Sequence, residues 1–479
     1  MSGILFLFFF LLLLPRSLAQ ETAQSPPSIV NQPPAGELLV PIYDLLGMVF
    51  GLPFTLPCEA TGEPTPTYIW TKNGAPFNWQ ETGRYSQTPG SGTLYVDSPR
   101  DEDMGHYQCF AKNELGVATS NAVLVRKSEM DPFLRMERRT FVVEEGSPLN
   151  LTCHAPYAYP KPTLYWVLVN EHEMLNITDP RITTDQEKGT LWFSNVTLAD
   201  RSTTYLYYCA SELAIRYERN IGSPVYLGVR PVNSSDPAKI YPPVFQYVSK
   251  TQMVALRGGS VSLWCIVSGT PLPDIKWVKK NSLFPNNTER LNHGKTLQIN
   301  DIDFKDQGSY YCYASNGIGS PISYVIHLTV EAVPYFTTEP ENQNLLAEGE
   351  TAKFQCEAGG RPAPQITWIH NGKHLAEAAP NPRRHQIRNV IFIQNVTKSD
   401  IGNYGCNATN RLGYVYKDFY LNVVVVDRRV TEISEIHQQP TGWIIGLSVT
   451  IPLLLIIFIL VLVFKRARAG NYAVDETTI

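Results

Sequence analysis

The sequence predicts an all-β protein of four tandem two-layer sandwiches followed by one transmembrane helix. Three observations predict this architecture. Eight cysteines fall into four successive pairs along the 479-residue chain, with 47 to 56 positions between the members of a pair. A tryptophan follows the first cysteine of each pair, and a tyrosine stands two places before the second. A long apolar run without charge lies close to the C-terminus.

The repeat is defined by cysteine, tryptophan and tyrosine positions. The cysteine pairs, in chain order, are Cys58 and Cys109, Cys153 and Cys209, Cys265 and Cys312, and Cys356 and Cys406. The tryptophans are Trp70, Trp166, Trp277 and Trp368, and the tyrosines are Tyr107, Tyr207, Tyr310 and Tyr404. In an immunoglobulin sandwich one disulfide joins the two sheets, a tryptophan packs on it, and a tyrosine bonds back to the backbone at a corner. The spacing therefore predicts four immunoglobulin-like (I-type) sandwiches.

The cysteines are best interpreted as structural. In "AKFQC", Ala352, Phe354 and Cys356 point to one side of a strand while the residues between them point to the other. Zinc sites favour closely spaced cysteine pairs, and the sequence contains no Cys-x-x-Cys. A nucleophilic cysteine would leave an odd thiol unpaired. We therefore predict one disulfide within each repeat.

The second repeat departs from the others at its corner. Three repeats carry Asp-x-Gly-x-Tyr-x-Cys before the second cysteine: "DMGHYQC", "DQGSYYC" and "DIGNYGC". The second repeat has "DRSTTYLYYC", which lacks the glycine and adds three residues after Asp200. We expect this corner to be distorted.

The repeats and the segments between them predict the domain organisation. The expected segments are a signal peptide (1–19), immunoglobulin-like domains (27–126, 131–229, 243–331 and 334–425), a linker (230–242), a stalk (426–442), a transmembrane helix (443–464) and a cytoplasmic tail (465–479). The first-to-second and third-to-fourth junctions leave almost no slack. The linker, rich in Pro, Ser and Asn, is typical of an exposed segment and would permit the chain to fold back on itself.

Two apolar runs indicate the secretory route and a membrane anchor. "ILFLFFFLLLLP" before "RSLAQ" is typical of a signal peptide cut near Ala19, although an uncleaved anchor is an alternative. "WIIGLSVTIPLLLIIFILVLVF" is long enough to cross a bilayer at about 1.5 Å per residue. "KRAR" follows it, which places that end in the cytosol. We expect a single-pass plasma-membrane protein with its N-terminus outside the cell.

Composition and motifs exclude several functions. The formal net charge of −4 gives no electrostatic reason to expect nucleic-acid binding. The nine histidines are scattered, and no nucleophile elbow, phosphate loop or paired-carboxylate motif occurs. The sequence therefore predicts no enzyme, no cofactor and no metal site.

The polar surface carries modification and binding signals. Seven Asn-x-Ser/Thr sequons predict N-glycosylation at Asn150, Asn176, Asn195, Asn233, Asn286, Asn395 and Asn407. The tail ends in "DETTI", so Thr477 and Ile479 with the free carboxylate match the form that PDZ domains bind. A chance match is the alternative for so short a motif.

Several longer stretches resemble a known family. "DEDMGHYQCFAKNELGVATSNAVLVRK", "TLWFSNVT", "ALRGGSVSLWCIVSGTPLP" and "GNYGCNATNRLGYVYKDFYLNV" are similar to the first to fourth domains of the neuroglian-like neural cell-adhesion family of arthropods. The resemblance covers about 27–425 and is more distant to the hemolins. It implies homophilic adhesion between cells, in neurons and in epithelia, with the first domain folded onto the fourth and the second onto the third.

The resemblance also has limits. Further immunoglobulin and fibronectin domains of the family are missing from this sequence, as is its ankyrin-binding motif, so we expect a short form or a close paralogue that does not bind ankyrin. The leading hypothesis is adhesion to the chain itself or to a relative on the opposing cell. A hemolin-like immune pattern receptor and a non-catalytic co-receptor are the alternatives.

Overall fold

A computed structural model describes residues 24–45, 48–134, 137–186, 188–232, 240–424 and 457–462. The chain divides into two compact units, Met1–Val423 and Val424–Ile479. The described strands of the first unit belong to four sandwiches, which we number along the chain. The all-β fold predicted from the repeat is confirmed.

The first sandwich packs the sheet β3-β2-β11-β10-β6-β7 against the sheet β4-β9-β8 and the pair β1-β5. Its strands are β1 (Ser25–Asn31), β2 (Gly36–Leu45), β3 (Met48–Gly51), β4 (Phe54–Leu56), β5 (Glu59–Glu63), β6 (Thr67–Lys72), β7 (Ala75–Pro76), β8 (Tyr85–Gln87), β9 (Leu94–Val96), β10 (Gly105–Lys112) and β11 (Val117–Met130).

The second sandwich packs the sheet β12-β21-β19-β15-β16, with β20 beside β19, against β13-β18-β17. Its strands are β12 (Arg139–Glu144), β13 (Leu149–Leu151), β14 (Ala158–Tyr159), β15 (Thr163–Val169), β16 (Met174–Asn176), β17 (Ile182–Asp185), β18 (Thr190–Phe193), β19 (Leu206–Leu213), β20 (Glu218–Ile221) and β21 (Val225–Arg230).

The third sandwich packs β22-β24-β27-β26 against β23-β29-β28-β25. Its strands are β22 (Tyr241–Val248), β23 (Gln252–Leu256), β24 (Val261–Thr270), β25 (Asp274–Lys279), β26 (Thr288–Leu291), β27 (Thr296–Ile299), β28 (Gly308–Ser315) and β29 (Ile322–Thr338).

The fourth sandwich packs β30-β38-β37-β33-β34 against β31-β36-β35. Its strands are β30 (Gln343–Ala347), β31 (Ala352–Gln355), β32 (Glu357–Arg361), β33 (Gln365–His370), β34 (Lys373–His374), β35 (Arg384–Ile387), β36 (Val390–Ile393), β37 (Gly402–Asn410) and β38 (Gly413–Val424). Short 3₁₀ turns connect strands in the four sandwiches at Trp79–Thr82, Asp101–Asp103, Leu198–Asp200, Ala214–Arg216, Asn292–Gly294, Phe304–Asp306 and Lys398–Asp400.

Each sandwich has its own core around one disulfide. The predicted disulfides are present as Cys58–Cys109, Cys153–Cys209, Cys265–Cys312 and Cys356–Cys406. In every sandwich the tryptophan lies directly opposite the second cysteine on the neighbouring strand and is at most 3% exposed. Because each core closes within its own repeat, the repeats are four local structures with few shared core residues.

The corner tyrosine bonds to its aspartate in all four sandwiches, including the irregular second one. Tyr107, Tyr310 and Tyr404 donate to the backbone oxygen of the aspartate four positions earlier. In the second sandwich Tyr207 makes the same bond, at 3.0 Å, to Asp200 seven positions earlier. Ser202, which stands two positions after Asp200 where the other repeats have glycine, accepts the N–H of Leu227 with its Oγ. The extra residues therefore lengthen the corner loop while its hydrogen bond is kept.

Two long strands each continue from one sandwich into the next. Strand β11 belongs to the first sandwich and then pairs with β14 of the second, and β29 belongs to the third and then pairs with β32 of the fourth. At the first junction Arg216 donates to the backbone oxygens of Ile42 and Ser128, both at 2.7 Å, and covers the ring of Tyr43. At the other, Arg257 and Arg361 both lie over the ring of Phe304. Continuous strands and guanidinium contacts make the first and second sandwiches one stiff rod, and the third and fourth sandwiches another.

Apart from Val424, the last residue of β38, the second unit is described only at 457–462, which are helical. No helix among the described residues is long and apolar enough to span a bilayer. Most of the expected transmembrane segment (443–464), together with the signal peptide, the stalk and the tail, lies outside the described residues.

Candidate functional site: the contacts between sandwiches

The first sandwich contacts the fourth through strand β11 and strands β37 and β38. Backbone N–H groups of the first sandwich donate to side chains of the fourth. These hydrogen bonds are Val117 N–H to Asn371 Oδ1 (3.2 Å), Thr119 N–H to Asp418 Oδ1 (3.2 Å) and Ala122 N–H to the Tyr414 hydroxyl (2.9 Å). The Tyr414 hydroxyl also donates to the backbone oxygen of Ala122. The pairing fixes one register of β11 against the fourth sandwich, because each donor meets a different side chain.

Asn403 lies at the centre of this contact. It is 1% exposed, and its Nδ2 donates to Pro27 O of the first sandwich and to Asp418 Oδ2, both at 2.8 Å. Gly116 of the first sandwich lies against it, so closely that a Cβ there would stand 2.5 Å from Asn403 Oδ1. Only glycine allows this approach.

Asp418 is the ionisable group of the contact. Its carboxylate accepts from Thr119 of the first sandwich and from the neighbouring Tyr416 and Asn403. It borders a cleft of about 340 Å³ whose other charged lining groups are Glu339, Glu341 and Lys417. Removal of water from the carboxylate outweighs these hydrogen bonds and raises the pKa of Asp418 to about 7. A carboxyl group with this pKa makes the contact sensitive to pH.

We expect acidification to tighten the first-to-fourth contact. In a separated headpiece Asp418 would be solvated and titrate near its ordinary pKa of 3.8, against about 7 in the contact. Closure therefore takes up a proton between these values, and the closed fraction should rise as pH falls from about 8 to about 5. Asp418→Asn should remove this dependence and keep the headpiece closed throughout. Small-angle X-ray scattering across the pH series measures the closed fraction. A closed fraction that depends on pH in Asp418→Asn as it does in the unchanged chain would refute the prediction.

The second sandwich contacts the third through strands β17 and β18 and the turn after them. Lys295 of the third sandwich is 2% exposed, and its Nζ donates to Pro180 O at 2.7 Å and to Thr183 Oγ1 at 2.9 Å. The rings of Trp192 and Tyr247 stack with centroids 5.9 Å apart. This contact therefore combines a buried cation with an aromatic pair.

The buried ammonium of Lys295 favours closure as pH rises, whereas Asp418 favours closure as pH falls. Burial lowers the pKa of Lys295 to about 8, and the charge of Asp179 only partly offsets this effect. Below about pH 8 Lys295 is charged in either state, so it adds no pH dependence to closure in the acidic range where Asp418 titrates.

The two contacts bring the halves of the chain side by side. Strand β21 ends at Arg230 and β22 begins at Tyr241, whose hydroxyl donates to Ser194 O of the second sandwich at 3.1 Å. Residues 233–239 of the expected linker lie outside the described residues. We call the arrangement in which the first sandwich contacts the fourth and the second contacts the third the closed headpiece.

The expected glycosylation sites differ in accessibility. Asn150, Asn176, Asn286 and Asn395 are exposed, and Asn407 is half-buried. Asn195 is buried at 7% exposure in the second-to-third contact. Asn233 and the tail residues Thr477 and Ile479 lie outside the described residues. The placement of Asn195 is at odds with a sugar on that residue in the closed headpiece.

The contact residues carry no sequence signal of their own. Asp418, Lys295 and Arg216 are isolated polar residues in strands and turns outside the repeat motif, and Asn403 occupies a variable position within "DIGNYGC". A partial signal is the glycine of "NELGV", which lies in the turn directly before β11, because glycine is the residue that lets a backbone approach its neighbours closely.

Comparison with known domain families agrees with the fold. The immunoglobulin I-set domain family matches residues 334–423. An immunoglobulin domain family matches 46–113, 132–209 and 242–316. With a disulfide and a buried tryptophan in each sandwich, these matches show that the chain belongs to the immunoglobulin superfamily.

Within that superfamily the chain is neuroglian-like. It is 45% identical to Neuroglian of Drosophila melanogaster over 419 residues, which cover 86% of this chain and 32% of that protein. It is 31% identical to Neurofascin of Gallus gallus over 436 residues, covering 86% of this chain and 30% of that protein. The chain thus spans about a third of the length of these relatives. The predicted family resemblance is confirmed.

The four-sandwich arrangement also has a solved counterpart. The crystal structure of the insect immune protein hemolin, described as a new domain arrangement with implications for homophilic adhesion, matches with a TM-score of 0.70 at 30% identity. The match covers 84% of this chain and all of the hemolin chain. The fold of the four-sandwich headpiece is therefore shared with a solved relative.

Proposed function

We propose that the chain is a cell-surface adhesion molecule that binds a second copy of itself, or a related molecule, on an opposing cell. The observation that carries the proposal is the closed headpiece. Polar contacts join the first sandwich to the fourth and the second to the third, and stiff junctions link the first to the second and the third to the fourth. The names of its relatives, neural cell adhesion molecules among them, support adhesion in neural tissue. The implications for homophilic adhesion drawn from the hemolin structure support self-recognition.

Closure matters for adhesion because it sets which faces remain free. The first-to-fourth contact uses β11, β37 and β38, and the second-to-third contact uses β17, β18 and β22. The exposed side chains of Val278 and Tyr313 lie on the other sheet of the third sandwich, β23-β29-β28-β25, which these second-to-third contacts do not use. A rigid scaffold with fixed outer faces binds a partner with little loss of conformational entropy.

Anchoring in the plasma membrane would complete the adhesive function. The uncharged run at 443–464 followed by "KRAR" supports a single span with the headpiece outside the cell. The four disulfides fit an oxidising compartment. Clustering of anchored copies raises the effective concentration of each weak contact, so that many together hold two cells. The tail residues Thr477 and Ile479 would recruit a PDZ protein.

A second candidate is immune pattern recognition. The match that covers the whole chain of an insect immune protein favours it. In that function the headpiece would bind a microbial surface component in place of a second copy.

Cell aggregation separates the two functions. We expect non-adherent cells that express the chain to form clusters containing expressing cells alone, even when mixed with labelled cells that lack it. Surface staining confirms equal delivery in every sample. Absence of clusters at normal surface density would refute self-adhesion, and binding of bacterial lipopolysaccharide by those same cells would favour the immune function.

A further inference from the structure

Two of the sequons occupy equivalent places in different sandwiches. Asn195 follows β18 in the second sandwich, and Asn395 follows β36 in the fourth. Both begin the sequence Asn-Val-Thr. In both, the threonine caps a 3₁₀ turn that ends in the corner aspartate. The elements around the two asparagines are therefore equivalent, although Asn395 itself adopts a left-handed backbone conformation with φ 51° and Asn195 does not.

Their surroundings are opposite. Asn395 is exposed, whereas Asn195 is 7% exposed because the third sandwich covers it. The Nδ2 of Asn195 donates to Gly269 O at 3.0 Å and lies 3.3 Å from Thr270 Oγ1. Both acceptors belong to the third sandwich.

An N-linked sugar is attached at the nitrogen that makes this contact. A glycan is bulky and hydrated, and the space in front of Asn195 Nδ2 is filled by the backbone oxygen of Gly269 and the side-chain hydroxyl of Thr270. The neighbouring hydrogen bond from the Tyr241 hydroxyl to Ser194 O, at 3.1 Å, holds the third sandwich in that place. A sugar and the third sandwich cannot occupy the site together.

We propose that Asn195 is a modification site that controls closure of the headpiece: a sugar on Asn195 and the second-to-third contact exclude each other. When Asn195 carries no sugar, its side-chain amide donates to the third sandwich and stabilises the closed headpiece. When Asn195 carries a sugar, the headpiece stays open. The inference relies on the extracellular placement proposed above but not on adhesion, so it can fail while the chain still aggregates cells, and the reverse.

The test compares sugar occupancy with headpiece conformation in the full chain from animal cells. Mass spectrometry of glycopeptides gives the occupancy at Asn195, with Asn395 as the matched internal control. Negative-stain electron microscopy of the same preparations, separated by lectin binding of their glycoforms, gives the closed fraction. We expect closed molecules to carry a bare Asn195 and molecules with a sugar there to be open.

Opening the contact by mutation should raise occupancy at Asn195 alone. Lys295→Glu places a carboxylate against Pro180 O and near Asp179, and Tyr247→Ala removes the ring that stacks on Trp192. Either variant should raise Asn195 occupancy several-fold and leave Asn395 unchanged. The second variant replaces the first if Lys295→Glu does not reach the cell surface. Closed molecules that carry a sugar at Asn195, or an occupancy that neither variant alters, would overturn the proposal.

Discussion

Replacing Cys406 with serine is expected to unfold the fourth sandwich and to stop delivery of the chain to the cell surface. The bridge from Cys356 to Cys406 closes a loop of 50 residues, which stabilises a domain by about 4 kcal/mol in the chain-entropy model. Position 406 is fully buried, so a serine hydroxyl without a partner adds a further cost of about 1 to 3 kcal/mol. The sum is comparable with the roughly 5–15 kcal/mol of net stability of a whole domain.

Surface staining and thermal unfolding measure this effect. The double variant Cys356→Ala and Cys406→Ala separates loss of the bridge from the presence of an unpaired thiol, since it removes both sulfurs. Lys353→Arg, an exposed change on the strand that precedes Cys356, is the matched control. An unfolding temperature of the fourth sandwich that does not change in Cys406→Ser would contradict the prediction.

Replacing Gly116 with alanine is expected to separate the first sandwich from the fourth while both stay folded. The new methyl group would lie 2.5 Å from Asn403 Oδ1 and 3.2 Å from its backbone nitrogen. Asn403 cannot turn away without losing its bonds to Pro27 and Asp418. Overpacking of this kind costs about 1–3 kcal/mol, which corresponds to a shift of roughly 5- to 150-fold in the ratio of open to closed headpieces.

For Gly116→Ala, small-angle X-ray scattering should show a larger radius of gyration than for the unchanged chain. Aggregation of the cells that express this variant should be weaker. Gly228→Ala is the matched control, because that glycine lies in a strand where an added Cβ meets Val142 of the same sandwich at 3.3 Å. Adding Asn403→Ala to Gly116→Ala removes the clashing oxygen and should restore part of the closure. A compact Gly116→Ala headpiece would show that the contact tolerates the methyl, contrary to expectation.

The sequence predicted the interior of each sandwich well because the residues that build it lie close together in the chain. A cysteine, a tryptophan and a corner tyrosine within one repeat report the same two sheets, and alternation along a strand tells which side faces the core. The irregular second corner shows the limit of such patterns. The missing glycine indicated a distortion, but only the structure showed that Ser202 joins the strand at Leu227 and that Tyr207 keeps its bond.

The sequence by itself therefore determined the four immunoglobulin sandwiches, their disulfides and the family to which the chain belongs. The family resemblance implied which sandwiches face each other, but only the tertiary structure showed which residues make the contacts. Lys295 reaches a backbone oxygen 115 positions away, and Asn403 reaches one 376 positions away. No periodicity records such distant partners, because a polar residue on a strand surface has the same local pattern whether it meets water or another sandwich. For the same reason only the structure distinguished Asn195, covered by the third sandwich, from the equivalent and exposed Asn395.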